Sequence, residues 1–275
     1  MPNGGKLIVF EGIDGSGLST HSHKLQEWLV NKGYKHVLLT DEPTPGPIGS
    51  LIRLIIGNFF DKKGAPPLKD RQDMMALLFA ADRIYHVHQL PYKKESESLS
   101  DVPHEEGFQR REEGFGIWSA LEEGRIVISN RFLLSSLAYQ SVSREGKGLE
   151  MEWLEQINSP SNSKVIPDPD LIIFLDVPPE IALKRIGRSR NSYEMYEDFL
   201  MGQVRINFKR AIERHPEWRV VRINGVGSDG KARSPDSVQD EIRAKVSEIL
   251  LKKPIKVSSD NGSLLDHVES LSKTE

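Results

Sequence analysis

The chain has 275 residues, a formal net charge of −3, 37% hydrophobic and 28% charged residues, and no cysteine. A chain of this length and composition encloses a core without covalent staples, and the missing cysteine excludes disulfide scaffolds, Cys-zinc sites, iron–sulfur clusters and thiol catalysis. The near-balanced charge gives no general attraction to nucleic acid or to an anionic membrane.

Leu7-Ile8-Val9-Phe10 is a short apolar run, as expected of a strand buried on both faces. It is too short for a signal-peptide core, and no apolar run approaches the roughly 18 residues of a membrane span, so a cytoplasmic protein is expected. After a Gly-rich turn, Leu25, Trp28 and Leu29 recur at helical spacing, with Gly33 as the C-terminal cap. Val37-Leu38-Leu39 reads as a second strand. Ile48, Leu51, Ile52, Ile55 and Ile56 predict one apolar helix face, and Asp70 opens a longer helical pattern through about Leu90. Ile126-Val127-Ile128, Leu171-Ile172-Ile173-Phe174-Leu175 and Val220-Val221-Arg222-Ile223 predict three more strands, with helical patterns between them and over 237–251. The alternation predicts an α/β fold: a three-layer sandwich with a parallel sheet of about five strands and helices on both faces. The α/β domain spans 1–251, interrupted by a polar stretch, 93–116, with four basic and seven acidic side chains. That stretch reads as a surface insertion and 252–275 as a polar tail.

The strongest local signal is Gly12-Ile13-Asp14-Gly15-Ser16-Gly17-Leu18-Ser19-Thr20, between a strand and a helix. This is the context of the phosphate loop G-x-x-x-x-G-K-[ST], for which a P-loop fold and ATP binding are expected. Its glycines let backbone N–H groups turn toward phosphate oxygens, and the helix N-terminus adds its positive end. Ser19 occupies the position whose hydroxyl ligates Mg²⁺. Leu18 stands where the phosphate-binding Lys belongs.

With the loop as its first piece, the chain resembles the thymidylate kinase family over roughly 6–251. Thr40-Asp41-Glu42-Pro43-Thr44 resembles its T-x-E-P segment, and Leu78-Phe79-Ala80-Ala81-Asp82-Arg83 its F-A-A-D-R helix motif. Ser129-Asn130-Arg131-Phe132 with Ser135-Ser136-Leu137-Ala138-Tyr139-Gln140 resembles its D-R-Y and A-Y-Q stretch. Pro169-Asp170-Leu171 and Leu175-Asp176-Val177-Pro178-Pro179 resemble its P-D-L and L-D-V-P-P pieces. The resemblance implies phosphorylation of dTMP to dTDP with ATP and Mg²⁺, and a homodimer. It puts Arg83 and Arg131 at the dTMP phosphate, Phe79 on the thymine ring and Gln140 at the pyrimidine edge. It also puts Glu42 on the acceptor side near the metal and Asp14 at the sugar or acceptor. Asp176 is expected to hold strand-end geometry. Arg185, Arg188 and Arg190 fall in the family's lid, about 185–197, from which an arginine neutralises the transferring phosphoryl group.

Two departures stand out. Leu18 removes a positive charge, and Asn130 replaces the acidic residue of D-R-Y. They leave open an active dTMP kinase with a variant donor loop, a catalytically weak nucleotide-binding sensor or partner subunit, and a kinase for another deoxynucleoside monophosphate.

Overall fold

The structure, a computed structural model, describes residues 4–34, 36–60, 71–88, 116–142, 148–158, 165–186 and 198–250. Strand β1 (Lys6–Gly12) leads into helix α1 (Leu18–Asn31), followed by β2 (Val37–Asp41), α2 (Pro47–Ile56) and α3 (Gln72–His88). Then come α4 (Ile117–Glu122), β3 (Ile126–Asn130), α5 (Leu133–Gln140), α6 (Met151–Asn158) and β4 (Leu171–Asp176). The series closes with α7 (Pro179–Ile186), α8 (Asp198–Arg214), β5 (Val220–Asn224) and α9 (Pro235–Leu250).

The five strands form one parallel sheet in the order β2-β3-β1-β4-β5. Strand alternation divides its side chains between two cores. Leu7, Val9, Val127, Ile172 and Phe174 face α4, α5 and α8, where Phe174 meets Phe208 at a ring separation of 5.4 Å. Ile8, Phe10, Ile128, Ile173 and Leu175 face α1 and α9 through Leu25, Leu29, Ile242 and Val246. Covering both faces explains the uninterrupted apolar runs of β1, β3 and β4. The carboxyl end of β1 lies between those of β3 and β4, where the connections diverge. Ligands of open α/β sheets bind at such a switch point, and the Gly-rich turn emerges there.

The strand and helix expectations hold, with local differences. The α1 C-cap is Lys32, and Gly33 follows it with φ +96°. Leu51 is 38% exposed, so the buried face of α2 is Ile52 and Ile55, flanked by Ile48 and Ile56. Asp70, the tail 252–275 and all of 93–116 except Gly116 lie outside the described residues.

Candidate active site

The Gly-rich turn bends tightly onto itself. A Cβ on Gly12 would lie 2.7 Å from Ser16 Oγ and 2.9 Å from the Leu175 carbonyl oxygen, so no larger residue fits. The first intrahelical bond of α1 runs from His21 N–H to the Gly17 oxygen (3.0 Å). The N–H groups of Leu18, Ser19 and Thr20 therefore precede the helical ladder. The first turn of α1 has no acidic residue and no side-chain cap, so its positive end stays open to an anion. Ser16 Oγ is buried without a hydrogen-bond partner among the described residues. Ile13 and Leu18 contribute backbone only, because both side chains are core, Leu18 at 8% exposure. Ser19 and Thr20 are exposed at the helix start.

Arg131 ties this loop to the end of β3. Its Nη1 donates to the Gly12 carbonyl oxygen (3.1 Å) and to Ser135 Oγ (3.2 Å), and its Nη2 pairs with Asp14. The guanidinium carbon lies 4.9 Å from the centre of the Tyr139 ring, whose hydroxyl accepts from Asp14 N–H (3.1 Å). Arg131 holds φ +66°, a left-handed conformation that costs a non-glycine residue roughly 1–2 kcal/mol. Its N–H donates to the Phe10 oxygen (2.9 Å), and its carbonyl accepts from Ser129 Oγ (2.9 Å). The surrounding bonds impose the strain.

Beneath Arg131, the Glu11 carboxyl is fully buried. It accepts from the N–H groups of Phe132 (2.9 Å) and Ser135 (3.2 Å) and from Ser135 Oγ. It therefore caps α5 from another element. Burial pushes its pKa up to about 7, against the pull of Ser135, Arg131 and the Phe132 N–H. A narrow crevice lined by Val9, Phe132, Leu134, Asp168 and Trp218 opens beside it. The folded chain thus holds the Glu11 proton more tightly than the unfolded chain. Its contribution is fully present below about pH 4.5 and is lost as pH rises through about 7, a swing of roughly 3 kcal/mol. Glu11→Gln should remove this dependence, so the variant gains stability relative to the parent between pH 5 and pH 8. Denaturant titrations of both proteins at the two pH values test this, and an unchanged difference would refute it.

The acceptor-side motifs grip one another. Asp82 accepts from Thr44 N–H (2.7 Å) and Thr44 Oγ1 (2.6 Å), and burial raises its pKa despite those bonds. The next residue, Arg83, donates Nε (3.0 Å) and Nη2 (2.7 Å) to Glu42 Oε2. Nη2 also reaches the Phe132 oxygen (3.1 Å) and Ser136 Oγ (2.8 Å), and Nη1 pairs with Asn158. The second Glu42 oxygen faces His86 Nδ1 at 3.1 Å, and His86 Nε2 lies 2.7 Å from Thr40 Oγ1. The carboxylate accepts from Nδ1–H, and in the neutral ring Nε2 then accepts from Thr40 Oγ1.

This placement revises one expectation. Arg83 is 1% exposed and surrounded by protein acceptors, so in this structure it is a buried strut joining α3, α5, α6 and Glu42. Arg131, with a 19% exposed side chain, stands at the loop. Phe79 is half-buried against Ile52, Ile55 and Met75. Gln140 Oε1 and Asn130 Oδ1 are buried and lack partners among the described residues. An unmet buried oxygen costs about 1–3 kcal/mol, so such atoms mark positions awaiting a donor. Asp176 holds the end of β4 through Arg205 (2.5 Å), Lys209 (3.5 Å) and Arg222. Burial would raise its pKa, yet these cations hold it below the usual carboxylate range. Arg185 reaches the Gly15 and Ser16 oxygens from α7; Arg188 and Arg190 lie outside the described residues. Sequence reading missed Glu11, His86 and Asn158. The signal for Glu11 was a lone carboxylate at the end of a buried apolar strand.

The sheet order, the loop leaving its central strand and the open N-terminus of α1 define a P-loop nucleotide-binding α/β protein. The thymidylate kinase family profile matches residues 10–99 and 109–226. The chain is 36% identical over 249 residues to a probable thymidylate kinase of Thermococcus onnurineus, covering 90% of this chain and 100% of that one. It is 38% identical over 219 residues to a probable thymidylate kinase of Pyrococcus horikoshii, covering 79% and 87% of the two chains. A solved thymidylate kinase from Ehrlichia chaffeensis shares the fold with a TM-score of 0.57 at 24% identity, covering 88% of this chain and 99% of that one. The chain belongs to the thymidylate kinase family and is a nucleoside monophosphate kinase.

Proposed function

We propose that the chain transfers the γ-phosphoryl group of ATP to dTMP, giving dTDP and ADP. The observation that carries this reading is Arg131: its guanidinium joins the phosphate loop, through Gly12 and Asp14, to the start of α5. Donor and acceptor elements are thereby one hydrogen-bonded unit. The loop and the first turn of α1 hold the ATP phosphates. Arg131 neutralises the dTMP phosphate, with Asp14 fixing its orientation. A dTMP phosphate oxygen attacks the γ-phosphorus in line, and the bond to the β,γ-bridging oxygen breaks. Catalysis is positioning and charge stabilisation, with no covalent enzyme intermediate.

The loop fits phosphate by its glycine cradle and the unpartnered Ser16 hydroxyl. Ser19 supplies one oxygen for Mg²⁺, which usually keeps phosphate and water ligands beside one or two protein groups. Mg²⁺ held there would supply positive charge that offsets the charge of the ATP phosphates. Glu42 and Arg83 shape the acceptor side from behind. Phe79 offers a half-buried ring for the base. The presence of Phe79, Arg83, Arg131 and Gln140 together, despite Asn130, speaks against a sensor lacking activity.

Incubation of the purified chain with Mg²⁺, ATP and each of the four deoxynucleoside monophosphates tests the reading. Rapid dTDP formation with the others slow is expected; absence of dTDP would refute it. Gln140→Ala should raise the KM for dTMP at least tenfold and narrow its lead over other acceptors, because a lost hydrogen bond to a buried base edge is worth about 1–3 kcal/mol. An unchanged substrate ranking would remove Gln140 from base recognition. We further assign the chain to the cytoplasm and to a homodimer. No helix among the described residues is long and apolar enough to cross a membrane. Exposed Leu51 and Leu77, on α2 and α3, support helix-packed association. Sedimentation as a monomer at micromolar concentration would refute the dimer.

A further inference from the structure

Leu18 leaves the loop without the cation its motif requires, and its side chain packs in the core with Phe10, Leu25 and Leu175. A different cation lies against the loop. Arg185 donates Nη1 to the carbonyl oxygens of Ser16 (3.2 Å) and Gly15 (3.4 Å). The turn of α7 that carries it is packed on the loop: a Cβ on Gly15 would meet the Ala182 oxygen at 2.5 Å and Ile186 Cγ1 at 2.8 Å. Gly15 also holds φ +75°, so only glycine lets α7 come this close. Arg185 is therefore resident at the loop.

Peptide geometry defines what this cation does. The Ser16 carbonyl and the Gly17 N–H belong to one planar unit and point in opposite directions. Holding the oxygen from outside turns the N–H inward, toward the side where α1 begins. The field of Arg185 reaches that helix as well: burial first, and then Lys24 and Arg185, hold His21 below its ordinary pKa against the hydrogen bond that its Nδ1 donates to Gln239 Oε1.

We propose that Arg185 is the stand-in for the missing phosphate-loop Lys, a resident positioning cation that orients the Gly15–Gly17 peptides and supplies positive charge to the β- and γ-phosphates. The inference rests on the reading that this loop binds ATP. It separates Arg185 from any lid arginine that arrives only on closure.

The test is calorimetric ATP binding with Mg²⁺ to the full chain, alongside steady-state kinetics. Arg185→Gln keeps a donor and loses the charge. It should weaken ATP binding about tenfold or more, the worth of a charge-assisted hydrogen bond, and leave the KM for dTMP unchanged. Arg185→Lys keeps the charge and should stay near wild type. Leu18→Lys introduced into Arg185→Gln should restore affinity. Equal ATP affinity in Arg185→Gln and wild type overturns the inference, as does Arg185→Lys losing as much as Arg185→Gln. If Leu18→Lys fails to fold at its core position, the Lys and Gln contrast at 185 decides alone. Failure of the wild type to bind ATP would overturn the reading of the loop itself, whereas wild-type binding matched by Arg185→Gln overturns this inference only.

Discussion

Arg131→Met is expected to lower kcat/KM for dTMP by about 10³-fold, the scale of one preorganised charge at a phosphoryl-transfer site. Two effects combine. The variant loses a cation fixed between the loop and α5 by Gly12, Asp14 and Ser135. It also leaves the Asp14 carboxylate unpaired beside the incoming phosphate dianion, where like charges repel. The second effect is separable: Arg131→Met with Asp14→Asn should recover part of the loss, because the uncompensated negative charge has gone. Arg131→Lys should fall between, since an ammonium restores charge without the planar fork that spans two acceptors at once. Steady-state kinetics with dTMP varied at saturating ATP checks all three. Wild-type kcat/KM in Arg131→Met would place the acceptor phosphate elsewhere.

The reason Arg131 is poised while Arg83 is enclosed was not legible in the sequence. Both are arginines in motifs that the family resemblance assigns to one ligand. Their difference arises from long-range partners. Arg83 meets Glu42, Ser136, Phe132 and Asn158, which lie 41, 53, 49 and 75 residues away. No local period links such positions. The strands were legible for the opposite reason: each is a continuous apolar run buried on both faces, and its pattern is local. The phosphate loop was legible because its glycines, the strand before it and the helix after it sit within a few residues. Leu18 marks the boundary between the two kinds of information. The sequence shows that a Lys is missing, but only the packing shows that Leu18 turns into the core and that α7 brings Arg185 to the loop. Leu51 illustrates the same limit on α2, because helical spacing alone did not show that it would remain at the surface.

Glu42→Ala should destabilise the fold by about 3–5 kcal/mol, the usual result of removing one member of a buried ion pair. For a protein of this size that corresponds to a fall in Tm of about 6–20 °C. The loss is large because Arg83 would keep its burial and its charge while losing the acceptor of both its Nε and Nη2 bonds. His86 would lose its Nδ1 acceptor at the same time. Glu42→Gln should be milder. Its amide oxygen can face Arg83, while its NH₂ faces His86 if that ring adopts the opposite tautomer and donates from Nε2 to Thr40. The expected order of stability is therefore wild type, then Glu42→Gln, then Glu42→Ala. Arg83→Met combined with Glu42→Ala should cost less than the sum of the single changes, since neither charge is then left buried alone. Because Arg83 also holds the Phe132 carbonyl and Ser136, weakening it loosens the start of α5, next to Arg131. The Glu42 variants should then raise the KM for dTMP more than that for ATP. Additive losses in the double variant, with both KM values moving together, would show that Glu42 and Arg83 act independently of each other and of the acceptor site.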